Sequence, residues 1–557
     1  MIKIFCLNTR QYIDVEGGLT LMQLAVRLAS ELPFTPICAR VNNKTQNLAF
    51  PIYQPKQIEF LSAQSPAGQR VVVRSLCMLL YRAVYAIDPS IRLRIEHSIS
   101  RGILCHLYDA DNRTIEPSDD LIASLHSRMS QLVSENHPFI EREASTEEVI
   151  EIFRRQGLDS KVTLLRTSPD IYTTYYTLDG VADSYYSALA PTTGFLRVFD
   201  LVRYHDGLLL LGPDASNPDM PQQPITQEKM LSAYREHILF NRTIKVSDVG
   251  QLNMAVRNRE TSQLIHVAEA MHDKYLGAIA ARIAEKHKEG GARIVLLAGP
   301  SSSGKTTTTK RLGIQLMTNL LTPKMISLDD YFVDREKTPH DQNGDYDYES
   351  LYALDLERLN SDLRRLLAGE TINLPTYSFE LGARVEKDRP MHLEPDEVLL
   401  IEGIHGLNPE LTSALPQEQI FKIYVSALTS LSIDDHNWIS TTDNRLLRRI
   451  VRDHKYRNTS AKETIRRWPS VRRGEERWIF PFQENADATF NSSLIFELGV
   501  MKNYAEPLLR QVAHNSPEYS EAYRLLKFLD YFEPIPADQV PTTSLLREFL
   551  GGSSFHY

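Results

Sequence analysis

Period-two spacing opens the chain: Ile2, Ile4 and Cys6 fall on one side of an extended segment, which predicts a strand, and Gly17-Gly18 breaks the run. Thr20 then stands where a helix N-cap would, ahead of Leu21, Leu24, Ala25 and Leu28 at helical spacing. After Pro33 and Pro36, ICARVNNKTQNLAF predicts two short strands about an Asn42-Asn43 turn. Residues 1–62 are expected to form a small mixed sheet with one helix. Beyond a polar joint at 64–68, VVVRSLCMLLYRAVYAI predicts a long apolar helix or strand-helix segment opening a second unit over residues 63–240. Its strand-like pieces are GILCHLYDA, FLRVFDLVRY and GLLLLGP, and residues 213–228 (PDASNPDMPQQPITQE) read as a loop.

A linker helix is expected within 241–289, with Leu264, Val267, Ala268, Met271, Tyr275, Ile279 and Ile283 along it. From residue 290 to 557 the rhythm changes. Continuous apolar runs at 294–298, 325–328, 398–401 and 420–425 alternate with helical stretches such as LDLERLNSDLRRLLAGE. Runs of that length suit strands covered by helices on both faces, so the expected class is α/β with a doubly wound parallel sheet.

Bulk numbers narrow the setting. With 557 residues, two to four domains are expected, and 42% hydrophobic with 24% charged residues is the composition of folded protein. Lysine plus arginine less aspartate plus glutamate is 62 − 71 = −9, which gives no global attraction to nucleic acid or anionic membrane. Cys6, Cys38, Cys77 and Cys105 form no CxxC pair, arguing against a zinc site or a disulfide framework. No signal-peptide layout or bilayer-length apolar run is evident, so a cytoplasmic protein is expected, with a homo-oligomer left open.

Gly299-Pro-Ser-Ser-Ser-Gly304-Lys305-Thr306 satisfies GxxxxGK[ST] between the strand-like RIVLLA and the helix-like KTTTTKRLGIQLM. Such a loop turns backbone N–H groups and a helix N-terminus toward anionic oxygens. Gly299, Ser301, Ser302, Ser303, Gly304, Lys305, Thr306 and Thr307 are therefore expected to hold a nucleotide's phosphates, with the Thr306 hydroxyl offered to Mg²⁺. Asp329 and Asp330 follow the next strand, where one could accept an acceptor hydroxyl's proton or bind magnesium, and Glu402 ends the apolar run VLLIEG. Glu402 could bind magnesium or cap the following turn. Arg445, Arg448, Arg449, Arg452 and Arg457, then Arg466, Arg467, Arg472, Arg473 and Arg477, make a local basic segment able to screen a transferring phosphoryl group, alongside arginines that only face solvent.

In GPSSSGKTT, SLDDYF, LPTYSFELGAR, VLLIEGIHGL and RRIVRDHKYR, residues 290 to 500 resemble the uridine kinase and phosphoribulokinase family of P-loop kinases. The resemblance implies that Asp329 activates the acceptor hydroxyl, that Thr306, Asp329 and Glu402 serve Mg²⁺, and that Lys305 serves the phosphates of ATP. It further implies that Tyr377, Arg384 and Arg449 approach the acceptor, that Arg452 is catalytic and that Arg457 is the first lid arginine. Departures accompany it. Gly382 stands where the family carries a histidine, Arg457-Asn458-Thr459 replaces Arg-Gly-Arg, and Tyr348-Glu349-Ser350-Leu351 replaces FDHP, leaving Glu349 as an altered acceptor contact. Residues 1 to about 200 resemble the TGS (β-grasp) and editing-type α+β domains of threonyl-tRNA synthetase. Arg74 and Met78 occupy the positions of the HxxxH metal ligands there, so no zinc chemistry is expected. His97, His106, His126 and His137 are read as packed or surface histidines, and YYSALAPTTGFLRVFDL as core in preference to pocket lining.

The expected function is an ATP- and Mg²⁺-dependent kinase acting on a hydroxyl of a small molecule, a nucleoside such as uridine or cytidine leading. A sugar, sugar phosphate or polyol acceptor, or an RNA-associated nucleotide-driven factor, are the alternatives. Against RNA stand the absence of a basic stripe interleaved with aromatics in residues 1–240 and of an NKxD motif.

Overall fold

Asn42 and Asn43 adopt positive φ of 49° and 61°, the left-handed pair that a two-residue hairpin turn requires. The computed structural model, which describes residues 1–341, 344–378, 380–385 and 387–556, joins Cys38–Val41 to Lys44–Gln46 through them. These strands edge a five-stranded sheet in which Ile2–Cys6 runs parallel to Gln57–Leu61 and antiparallel to Gln11–Val15. Thr20 caps the helix Leu21–Arg27 in a capping box with Gln23. Leu21, Leu24, Ala25 and Leu28 bury against Ile4, Cys6 and Phe60 of the sheet.

Helix α1 (Pro66–Ile87) runs unbroken for 22 residues, capped by Ser65 with Pro66 in its first turn. It packs beside an antiparallel sheet of Arg92–Ile99, Gly102–Tyr108, Gly207–Leu211 and Asp200–Tyr204. Of FLRVFDLVRY only the second half is strand; Phe195 closes a short 3-10 turn. Tyr185, Leu189 and Leu196 enter the core, and Phe195 and Phe199, half-buried against it, also line an open cleft between this unit and residues 290–557. His106 sits between Glu96 and Asp206, and His97 stacks on Tyr234, both within packed structure. Residues 213–227 carry only the isolated bridge Pro213–Pro221. Three helices, not one, then lead onward: Glu228–Thr243, Val249–Arg257 and α2 (Thr261–Lys288). Asp248 caps the second, and Arg259 at φ 63° turns the chain between the second and third, breaks that apolar spacing alone does not reveal.

The remaining chain builds a five-stranded sheet, every pair parallel, from β1 (Ile294–Ala298), β2 (Thr322–Ser327), β3 (Glu397–Glu402), β4 (Ile420–Ser426) and β5 (Ala488–Asn491), in the order β2-β3-β1-β4-β5. Side chains alternate between two cores. Val295, Leu297, Leu400 and Ile423 pack with α2 and with α3 (Lys305–Thr318), while Ile294, Leu296, Leu399 and Ile401 pack toward α4 (Leu356–Leu367). That double burial explains the unbroken apolar runs. Lys161, wholly buried, pairs with Asp183 (2.7 Å) and Asp434 (2.8 Å), and His436 bonds Asp183, so a hydrogen-bonded ionic cluster ties the second unit to this one.

Candidate active site

The loop after β1 and the residues ending β2 and β3 come together because the three strands are neighbours. Leu297 of β1 and Ser327 of β2 both pair with Glu402 of β3, and they stand two residues before Gly299 and two before Asp329 respectively. The loop curls through left-handed backbone at Ser302 (φ 58°) and Gly304 (φ 85°). Gly299 has no room for a side chain, since a Cβ there would lie 2.0 Å from the Val425 carbonyl oxygen of β4. Lys305 Nζ folds back to donate to the carbonyls of Gly299 (3.0 Å) and Pro300 (3.3 Å). The Thr306 hydroxyl donates to Glu402 Oε1 (3.4 Å), as does that of Ser327 (3.2 Å).

Negative charge is crowded here. Burial and the neighbouring Asp329 push the Glu402 carboxyl up to about 7, against the pull of Lys305. Asp329 is reached by solvent from one side, yet the surrounding protein raises its carboxyl above the ordinary aspartate value, opposed by Lys305, Arg457 and Arg452. Asp330 is held differently, by Arg389 (3.0 Å). Glu349, beside Gly474, is pushed up to about 7 by burial and by Glu475.

The arginines divide by environment. On α5 (Thr441–Arg457) and α6 (Ala461–Trp478), Arg445 pairs with Glu475 and Arg448 with Glu497 (2.5 Å), all four fully buried, so these two arginines hold helices to the loop's outer side. Arg449 donates to Ser301 Oγ (2.7 Å) and to Asp453 (3.2 Å); Arg452 and Arg457 also lie against Asp453, at 2.8 and 3.5 Å. Arg466 and Arg467 only face solvent, paired with Glu463. Tyr377 and Arg384 are opposite partners in a two-strand hairpin. Tyr377 is buried with its ring 5.5 Å from that of Phe332, and Arg384 bonds Asp355 (2.8 Å). Gly382 takes φ 67° with the Arg335 guanidinium against it, so a histidine would be strained and obstructed there. Phe379 of the same motif lies outside the described residues.

Two carboxylates at the loop carry no sequence signal of their own. Glu475 Oε1 accepts from the Ser301 N–H (2.9 Å), though it sits within the arginine-rich RRGEERW. Glu548, from the short helix α8 (Arg547–Leu550), accepts from the Thr307 N–H (3.1 Å) and hydroxyl (2.7 Å), while Leu545 packs over Gly304. Their placement depends on contacts across 174 and 241 residues of chain.

Among the described residues no three or more His, Cys, Asp or Glu side chains are grouped to hold a metal, and no helix is long and apolar enough to cross a membrane. Uridine kinases of Staphylococcus aureus strains JH9 and Newman are each 29% identical over 197 residues, 35% of this chain and 84% of theirs. A solved structure described as "a Possible Uridine Kinase from Bacillus stearothermophilus" aligns over 38% of this chain and 100% of its own at 21% identity, TM-score 0.25. The model of the Phosphoribulokinase / Uridine kinase family matches residues 294–494, the span that runs from β1 past β5, and that part of the chain is a domain of this family.

Proposed function

We propose that the protein is an ATP- and Mg²⁺-dependent kinase that phosphorylates a hydroxyl of a small molecule, a nucleoside such as uridine or cytidine foremost. The observation that carries this reading is the register of β1, β2 and β3, which gathers loop, Asp329 and Glu402 at one crevice. Loop amides and Lys305, released from the Gly299 and Pro300 carbonyls, would grip the phosphates. Asp329, solvent-reached and without the arginine that holds Asp330, would accept the acceptor's proton. Thr306 and Glu402 offer the hard oxygen donors that suit magnesium, and a divalent cation would favour the ionised Glu402 against the burial and the Asp329 charge that raise its carboxyl. Bound there, the ion would supply charge neutralisation along the phosphate chain. Arg449, Arg452 and Arg457 share the single carboxylate of Asp453, which leaves a surplus of positive charge to screen a moving phosphoryl group. Glu349, Tyr377 and Arg384 are assigned to the acceptor side, the last two by shaping its wall. The mixed sheet of residues 1–62 supports a TGS-like first unit, and the following α+β unit an editing-like domain without its metal.

The test is ATP turnover with a panel of nucleosides, pentoses and polyols, with Asp329→Asn in parallel. One acceptor is expected to raise turnover, and Asp329→Asn to lower it by a factor on the order of 10³ with the fold intact. Turnover by Asp329→Asn equal to the parent, or an increase with RNA and with no small alcohol, would overturn the proposal.

A further inference from the structure

Away from the crevice, the three units meet at a second small cavity of about 50 Å³. Thr45 of the first unit, Arg70 and Arg74 of α1, Tyr186 of the second unit, and Arg524 and Lys527 of α7 (Tyr519–Leu529) line it, and no carboxylate does. Arg70 pairs with Glu521 (3.2 Å), and Arg524 is shared between Asp443 (2.6 Å) and Glu521. Those two carboxylates account for two of the four lining cations. Arg74, only 6% exposed, is met by the Ser187 hydroxyl and by the Tyr186 ring, 4.2 Å from its guanidinium carbon, and by no carboxylate among the described residues. Lys527 and Lys44 both stand over the Tyr523 ring, at 5.9 and 4.5 Å.

A buried guanidinium without a counter-charge is costly in a dry site. Here the missing charge is negative, Arg70 and Arg74 present forked donors that match tetrahedral or carboxylate oxygens, and at the roughly 10–15 Å³ of such space that one water needs, the cavity holds a few waters or one small anion. A nucleotide does not fit. We propose that this cavity is a binding site for a small oxyanion of phosphate size, held by Arg74 with Arg70 and Lys527, and distinct from the loop after β1. An anion there would bridge first unit, α1 and α7. Through the Arg524–Asp443 pair it would also bear on the first turn of α5, the helix that carries Arg449, Arg452 and Arg457.

The experiment uses the full chain with Lys305→Ala, which weakens phosphate capture at the loop, titrated with inorganic phosphate against chloride at constant ionic strength. Melting temperature and calorimetry are read together. A saturable rise in melting temperature is expected, with affinity on the order of tenfold weaker once Arg74→Met is added, as for a lost charge-assisted hydrogen bond. Lys527→Glu, at an exposed position that leaves the core untouched, should weaken it similarly if Arg74→Met fails to fold. An equal response to sulfate identifies a free oxyanion, and a stronger one to methyl phosphate identifies a phosphoryl group on a larger ligand. No saturable response, or a response that survives both substitutions unchanged, overturns the site.

Discussion

The crevice at the sheet and the cavity at the three-unit junction are charged in opposite senses. In the crevice burial, helped by neighbouring carboxylates, pushes Glu402 and Glu349 each up to about 7, and it raises Asp329 as well. At the junction arginines dominate, and Glu521, though enclosed, is drawn down to about 2 by Arg524 and Arg70 against the cost of burial. The same side-chain type therefore weakens the fold in one place and strengthens it in the other. A folded chain that keeps both imbalances is suited to a cation in the first and an anion in the second.

Changing a carboxyl to an amide in each region should separate them. Glu521→Gln is expected to lower stability at pH 7 by about 3 kcal/mol, because Arg70 loses its carboxylate and the buried Arg524 is left with Asp443 alone. With the folded value depressed, that contribution is complete above the ordinary glutamate value of 4.5 and fades as pH falls toward about 2, which denaturant unfolding across pH would follow. Glu349→Gln should do the reverse and raise stability by about 2 kcal/mol at pH 8. Its folded value lies above the ordinary glutamate value of 4.5, so the penalty is absent below that pH, grows between there and about 7, and is full above, and the gain should vanish at pH 4. The smallest effect is expected at the loop itself, where Glu548→Gln removes an anion from the Thr307 amide and should tighten ATP binding roughly fivefold by calorimetry. If both Gln substitutions at Glu521 and Glu349 moved stability the same way, the contrast between the regions would be lost.

The crevice was readable in sequence because it is written in short contiguous motifs: a strand, a glycine-bounded loop and a helix, and a carboxylate at each of two strand ends. Gly299 and Gly304 are local backbone requirements, so their positions survive without knowledge of the tertiary fold. The roles of the arginines are not local. Arg445 and Arg449 are one turn apart and both donate to Ser301, yet Arg445 is sealed against Glu475 whereas Arg449 pairs with Asp453, a difference decided by how α6 packs. Glu475 and Glu548 meet loop amides only through long-range packing, and Arg74, legible as a departure from a metal-binding pattern, gains meaning only when α7 is brought beside it. The two helices ahead of α2 were missed for a plainer reason, that short helices with capped breaks leave little periodicity to detect.

The contact between Gly299 and the Val425 carbonyl carries one last consequence. Since even a methyl group would collide with the adjacent strand, the entrance to the loop cannot be widened or narrowed by exchanging its first residue. The dimensions of the mouth are inherited from the spacing between β1 and β4, a backbone quantity, and any drift in substrate size has to be accommodated on the opposite bank.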